Sequence, residues 1–392
     1  MPLQSEIMGP GDPSWLEHIR GAPDTLPYHL AHPEVSFGTH VKACKLALAR
    51  EVIPKTRIYL DQKYWIHCRD AKLDRAQTVH VEIFRALREL VQRGETICPV
   101  AHAVLEETFK QHDRVTRAAT AIVIEELSQN IAIEPFTELT RLELLRFIRS
   151  STQGGDAVHA AEELAWTWPA WLFGVARPSN TPFDMATERA MAKAFFDAII
   201  RMPFSAVVEA YGGARLESFA YDTEEMQRKR TEETRRHRHE FQTFKDVFLI
   251  EVAGGLDVLK EDLEGTMVHL YEATTGNTPT PEEVRASRAT RPSLADLIYS
   301  AFKHGKVGAA LPGIRIISGI HAAMRYRDQP HRKGDMHDHV HARIALPYCD
   351  MFLTEKNLGN LLTQPPLEYD KLYQCRVLWD DEKILEALKG LK

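Results

Sequence analysis

The chain has 392 residues, of which 44% are hydrophobic and 27% are charged. This is the composition of an ordinary globular protein, and the length predicts several compact units or one domain with a large insertion. The net charge of −6 excludes a general attraction to nucleic acid, so any such binding must come from local basic patches. No apolar run approaches the roughly 20 residues that span a membrane, and the N-terminus lacks a signal-peptide pattern.

The cysteines are scattered through the sequence without CxxC spacing. They are Cys44, Cys68, Cys98, Cys349 and Cys375. This pattern disfavours a zinc site built from thiols and predicts reduced cysteines in a cytoplasmic protein.

The first 54 residues contain repeated Pro and Gly and one helical pattern, Val41–Glu51. We expect an N-terminal arm at 1–54 that is extended and packs on the main domain. The main domain then begins at residue 55.

Residues 55–112 alternate between strand-like and helical patterns. The apolar run Arg57–Asp61 predicts a strand, and Arg75–Arg93 predicts a helix that ends at Gly94. A second buried strand, Thr96–Val100, precedes a helix over Ala101–Gln111. This alternation predicts an α/β fold with a parallel sheet, in which functional groups gather at the carboxyl ends of the strands.

Residues 113–305 show helical patterns almost throughout and no convincing strand, so we predict a large helical insertion. Within it, 227–240 is a basic helix whose Arg228 and Arg235 either face solvent or contact phosphate. The Trp-rich segment 165–171 favours core packing over stacking on bases.

Residues 306–392 complete the main domain. A basic group precedes Asp335 and Asp338 and either contacts nucleic-acid phosphate or forms a solvated loop. Its members are Arg325, Arg327, Arg332 and Lys333. An amphipathic helix with Asp335 and Asp338 at its start then leads to Asp350 and a short apolar strand, and a last strand and helix follow.

Acids beside apolar strands are costly unless a partner compensates them. Taken singly, Asp61 fits a helix N-cap, Glu107 a solvated helix residue, and Asp350 a surface acid at a strand edge. If the strand ends converge, these acids instead form one site, and a divalent metal is the simplest compensation.

Three pieces of the sequence, in this order, resemble the PIN-domain nucleases. They are Tyr59-Leu-Asp61, Pro99-Val-Ala-His-Ala-Val-Leu-Glu-Glu-Thr108, and Asp335-Met-His-Asp338 continuing to Leu346-Pro-Tyr-Cys-Asp350-Met-Phe-Leu-Thr354. The resemblance covers roughly 55–110 and 330–380. It implies a PIN-like, Rossmann-like three-layer α/β/α fold with a central parallel sheet, interrupted by the all-α insertion.

The resemblance also implies a site of four carboxylates, Asp61, Glu107, Asp338 and Asp350, that bind Mg²⁺ or Mn²⁺. Glu106 is the alternative to its neighbour Glu107. Asp335 and Glu355 are further candidate ligands. A zinc site from His337, His339 and His341 is a less favoured alternative, because their spacing puts only the first and third on one helical face.

The function implied is a metal-dependent endoribonuclease acting on single-stranded or structured RNA. The alternatives are a DNA nuclease, another metal-dependent phosphohydrolase, and an inactive PIN-like scaffold that binds a protein partner. Pairing of two copies and an unidentified regulatory protein partner also remain open from the resemblance.

Overall fold

The computed structural model describes residues 18–152, 161–174, 178, 181–211, 243–275, 277–290, 292–329 and 335–391. The described chain is an α/β structure rich in helix, with one four-stranded parallel sheet. The strands are β1 (Thr56–Leu60), β2 (Thr96–Ile97), β5 (Met351–Leu353) and β6 (Arg376–Leu378), in the order β2-β1-β5-β6.

Helices lie on both sides of this sheet. Before and around its first two strands they are α1 (Leu26–Ala31), α2 (Phe37–Val52), α3 (Gln62–Lys72), α4 (Thr78–Gln92) and α5 (His102–Phe109). Those that return the chain to it and complete it are α16 (Pro312–Tyr326), α17 (Asp335–Tyr348), α18 (Lys356–Thr363), α19 (Tyr369–Tyr373) and α20 (Asp381–Lys389).

Side chains of the central strands alternate between two cores, as the two-residue period of a strand requires. Ile58 and Leu60 enter a first core with α3, α4 and α20, whereas Tyr59 and Phe352 enter a second core with α2, α16, α17 and α18. All four side chains are fully buried. The sheet is therefore covered on both faces, which agrees with the predicted layering and explains the continuous apolar runs.

The middle of the chain is mostly helical. Its helices are α6 (Arg114–Ser128), α7 (Phe136–Thr152), α8 (Ala161–Leu164), α9 (Pro169–Leu172), α10 (Met185–Ile199), α11 (Phe204–Tyr211), α12 (Phe244–Val258), α13 (Lys260–Thr275), α14 (Pro281–Thr290) and α15 (Leu294–Lys303). A core of its own joins α7, α12, α13, α15 and α16.

The prediction that residues 113–305 are all-α is wrong. Strands β3 (Ala132–Ile133) and β4 (Trp166–Thr167) pair antiparallel, and Ala132 also bridges to Val100, just after β2. Each strand has two residues, too few for a period to show in sequence, and tertiary pairing decides their conformation. Trp166 is fully buried in the second core, which agrees with the core-packing interpretation.

The N-terminal arm is helical over most of its described part, not extended. Ser36 caps α2 by accepting a hydrogen bond from the Thr39 amide. Leu48 and Val52 of α2 lie in the second core. The arm therefore belongs to the packed body of the protein, as predicted, but through a helix face.

No helix in the described ranges is both long enough and apolar enough to cross a membrane.

Candidate active site

Asp61 stands at the carboxyl end of the central strand β1 and is the N-cap of α3. Its side chain accepts a hydrogen bond from the Tyr64 amide at 3.3 Å and another from the Thr354 hydroxyl. Thr354 follows β5, the strand paired with β1, so the parallel register brings the two residues to the same edge of the sheet. Both are almost completely buried, with 4% and 1% exposure.

The Asp61 carboxylate is destabilised as an anion. Its pKa is raised to about 7, mainly by burial; the two hydrogen bonds oppose this rise, and the negative charges of Asp338 and Glu355 contribute to it. These two acids therefore lie close enough to Asp61 to repel it. The two groups that donate to it, a backbone amide and a hydroxyl, are both uncharged.

Glu107, on α5 after β2, is the second acid at this edge. Burial raises its pKa to about 7; Lys110 opposes the shift, and Asp338 and Glu106 add to it. Its Oε2 atom is buried and has no hydrogen-bond partner among the described residues. Glu106 instead lies 3.2 Å from Nδ1 of His102, one turn earlier on the same helix. The structure thus favours Glu107 over Glu106 as the acid that faces Asp338.

Asp338 lies in the first turn of α17, and Glu355 is the N-cap residue of α18, directly after Thr354. The negative charge of Asp338 raises the pKa values of both Asp61 and Glu107, so Asp338 is electrostatically coupled to both. Glu355 is exposed at the solvent side. Asp335 begins α17, but its side chain falls outside the described part of the chain.

The prediction that Asp350 joins this group is wrong. Asp350 precedes β5 and lies beside Arg57, at the amino end of the sheet. Four residues separate Arg57 from Asp61 along β1, which is about 13 Å at the usual strand rise. Asp350 instead accepts two hydrogen bonds from the Arg57 guanidinium, at 2.9 and 2.7 Å, and one from its amide at 2.8 Å. Glu355, which follows β5 and Thr354, lies at the carboxyl edge instead.

A buried polar pair joins β1 to α17. The Tyr59 hydroxyl lies 2.7 Å from Nδ1 of His341, and both residues are almost completely buried. His339 is buried against His321, with the ring centroids 5.3 Å apart. His341 and His339 therefore pack inside the fold, whereas the His337 side chain falls outside the described residues.

A polar group next to the acids was missed in the sequence. Asp381, after β6, accepts a hydrogen bond from the Tyr64 hydroxyl at 3.1 Å and lies 3.0 Å from Nε2 of His80. The His67 ring stacks on His80 at 3.7 Å. Burial, His80 and Lys63 lower the pKa of His67 to about 4. The position of Asp381 after the last strand was a usable signal for this group, but the two histidines lie on helices without a motif.

Two of the predicted phosphate-binding residues have protein partners instead. Arg325 donates to Glu251 at 3.0 Å, and Arg327 donates to the Pro365 carbonyl. These contacts make a structural role the better interpretation for both. The other four candidates, Arg228, Arg235, Arg332 and Lys333, lie outside the described residues.

The carboxylates at this edge are spread over a wider space than one ion occupies. Among the described residues, no three of them have ligand atoms all within 4.8 Å of one another; His29, His40 and Asp197, elsewhere in the chain, do. Comparison of the chain with protein-family models, curated proteins and solved structures found no match in any of the three.

Proposed function

We propose that the chain is a metal-dependent nuclease of PIN-like fold that hydrolyses phosphodiester bonds, with RNA as its substrate. The observation that carries the proposal is the set of acids at the carboxyl edge of the sheet: Asp61, Glu107, Asp338 and Glu355, with Asp335 at the start of the same helix as Asp338. They come from four separate elements, and parallel sheets collect functional groups at this edge.

The donor atoms of these residues suit hard divalent cations, because they are carboxylate oxygens, which Mg²⁺ and Mn²⁺ prefer. Glu107 Oε2 has no hydrogen-bond partner among the described residues, and Asp61 and Glu107 both have pKa values raised to about 7. Buried, mutually repelling carboxylates are the groups that a cation stabilises most. When bound, Mg²⁺ or Mn²⁺ supplies activation of the attacking water and stabilises charge on the leaving oxygen.

The chain itself supplies orientation. The Tyr64 amide, in the first turn of α3, and the Thr354 hydroxyl, directly after β5, donate to the Asp61 carboxylate and orient it. Glu107 and Asp338 bring two further carboxylates to the same edge from α5 and α17. Glu355 lies on the exposed side, where a substrate phosphate would approach. Preorganised charges of this kind contribute to rate because they need no rearrangement during the reaction.

The test is cleavage of a single-stranded RNA by the purified full chain, with Mn²⁺ or with EDTA. A DNA of the same sequence and a small phosphate ester serve as alternative substrates. We expect Mn²⁺-dependent cleavage of the RNA. We also expect that Asp338→Asn lowers its rate about a hundredfold or more, as loss of a charge-stabilising group does.

Four results would contradict all or part of this proposal. A folded Asp338→Asn variant with full activity would remove the acids from the mechanism. Cleavage of DNA alone would replace the substrate class, and hydrolysis of the small ester alone would indicate a general phosphohydrolase. A wild-type chain without any hydrolytic activity would favour the inactive scaffold.

A further inference from the structure

A second group of potential ligands lies away from the acids, where the N-terminal helices meet α10. It consists of His29 on α1, His40 on α2 and Asp197 on α10. One ligand atom from each lies within 4.8 Å of the ligand atoms of the other two. We call this group the His-His-Asp cluster.

Its geometry is centred on the Asp197 carboxylate. Nε2 of His29 lies 2.8 Å from Oδ2, and Nε2 of His40 lies 2.6 Å from Oδ1. The two imidazoles are edge-to-face, with centroids 4.6 Å apart. His29 is 2% exposed, and the His40 and Asp197 side chains are each 16% exposed. Two ring nitrogens thus point at one carboxylate inside the protein, from three different helices.

A thiol lies at the edge of this cluster. Cys44 follows His40 by one helical turn, and its Sγ lies 3.8 Å from the His40 Nε2. The Cys44 side chain is partly buried. The imidazoles of His29 and His40 and the carboxylate of Asp197 are enough to join the three helices by hydrogen bonds. Those hydrogen bonds do not require the Cys44 thiol beside them.

We propose that His29, His40 and Asp197 bind a zinc ion, with Cys44 as the fourth ligand after rotation of its side chain. Two imidazoles, a carboxylate and a thiolate form a donor set of the kind that favours zinc over the hard cations proposed for the acids. Bonds of about 2.0–2.3 Å in a tetrahedron place the donor atoms about 3.3–3.6 Å apart. The present N···O distances of 2.8 and 2.6 Å need to open by about 0.5–1.0 Å to reach that spacing.

The consequence would be structural. Thr25 also donates to Asp197, at 2.8 Å, and Lys193, one turn earlier on α10, donates to the carbonyls of His32 and Val35 at 3.1 and 2.8 Å. α10 thus already holds the loops around α1. A zinc ion would add bonds between the same elements and stabilise the docked N-terminal helices, because metal binding free energy adds to folding free energy.

The experiment measures Zn²⁺ and Co²⁺ binding by the full chain after removal of metal with a chelator. We expect one tightly bound Zn²⁺, and a Co²⁺ spectrum with tetrahedral d–d bands and a thiolate charge-transfer band. Asp197→Asn keeps the size of the side chain and its capacity to form hydrogen bonds. We expect it to weaken zinc binding at least about tenfold, because even the loss of a residue that only hydrogen-bonds to a metal ligand has an effect of that size. Cys44→Ser should abolish the charge-transfer band. His304→Gln, at an exposed histidine, should change neither.

Thermal unfolding separates a binding defect from a folding defect. We expect chelation to lower the Tm of the wild-type chain and to leave that of Asp197→Asn unchanged. Asp61→Asn, at the acidic site, should retain zinc. Zinc affinity equal in the wild type and Asp197→Asn, or a Co²⁺ spectrum without a thiolate band, would overturn the proposal without affecting the proposed nuclease activity.

Discussion

At the scale of single residues, the buried acids at the carboxyl edge of the sheet make the stability of the metal-free protein depend on pH. Asp61 is almost completely buried and Glu107 largely so, and burial raises both pKa values to about 7. An unfolded Asp titrates near 3.9. Between these two pH values the native state binds more protons than the unfolded state, so the stability of the metal-free protein falls as pH rises.

In the metal-free protein, Asp61→Asn should change the free energy of unfolding in a pH-dependent way. The variant removes an anion that burial disfavours, so above pH 7 it should be more stable than the wild type by about 1–3 kcal/mol. Below pH 4, where the wild-type carboxyl is protonated, the gain should vanish. Urea unfolding at pH 8 and at pH 4 measures the difference. A variant that is less stable at pH 8 would show that the anion is compensated by other groups.

Asp350→Asn is the matched variant at the other end of the sheet. It replaces an anion that accepts three hydrogen bonds from Arg57. Because the carboxylate is partly exposed, with 44% side-chain exposure, we expect a stability loss of only about 1–2 kcal/mol. We expect wild-type metal-dependent cleavage at a temperature where the variant is folded. Loss of activity in a folded Asp350→Asn would restore the sequence-based assignment.

At the scale of elements, the sequence predicts the central strands, but it does not predict which acids lie at the same edge of the sheet. The predicted strand at 57–61, the helix ended by Gly94 and the helix that begins at Asp335 are all confirmed. The apolar run 351–353 marks a buried strand, but an acid precedes it and another follows it. Only the parallel register with β1 shows that Glu355, and not Asp350, shares an edge with Asp61.

Close contacts between helices could not be predicted from the sequence either. Two glycines illustrate this, because one has no room for a Cβ atom and the other has ample room. A Cβ at Gly319, on α16, would lie 1.7 Å from the Tyr369 hydroxyl oxygen, which donates to the Arg315 carbonyl. A Cβ at Gly254, on α12, would have no heavy atom within 4 Å.

Alanine at these two positions should therefore have opposite effects. We expect Gly319→Ala to destabilise the protein by about 1–3 kcal/mol through overpacking. Gly254→Ala should stabilise it by about 0.5–1 kcal/mol, because alanine favours the helix. Paired urea unfolding curves measure both. Equal effects of the two substitutions would contradict the described packing of α16 against α19.

At the scale of the whole molecule, the proposed boundary at residue 113 does not separate two cores. Val123, Ile124 and Leu127 of α6 lie in the first core, together with residues of α3 and α4. Trp166 of β4 packs in the second core. The Arg57 guanidinium lies over the Trp166 ring, with its Cζ atom 5.9 Å from the ring centroid. The core formed by α7, α12, α13, α15 and α16 likewise crosses the proposed boundary at residue 305, because α16 spans Pro312–Tyr326.

Excision of residues 113–305 should therefore prevent folding. Replacing them by a short linker removes part of both cores that cover the sheet, and we expect no cooperative unfolding transition by calorimetry. A shortened chain that unfolds cooperatively and is stabilised by Mn²⁺ would show that 55–112 and 306–392 form an independent domain.

The most direct test of the acidic site is an anomalous difference map from crystals soaked in MnCl₂. We predict manganese in contact with the carboxylates of Asp61, Glu107 or Asp338, at about 2.0–2.3 Å from their oxygens. We predict none beside Asp350. Manganese beside Asp350, or full occupancy elsewhere with none at the carboxyl edge of the sheet, would contradict the proposed site.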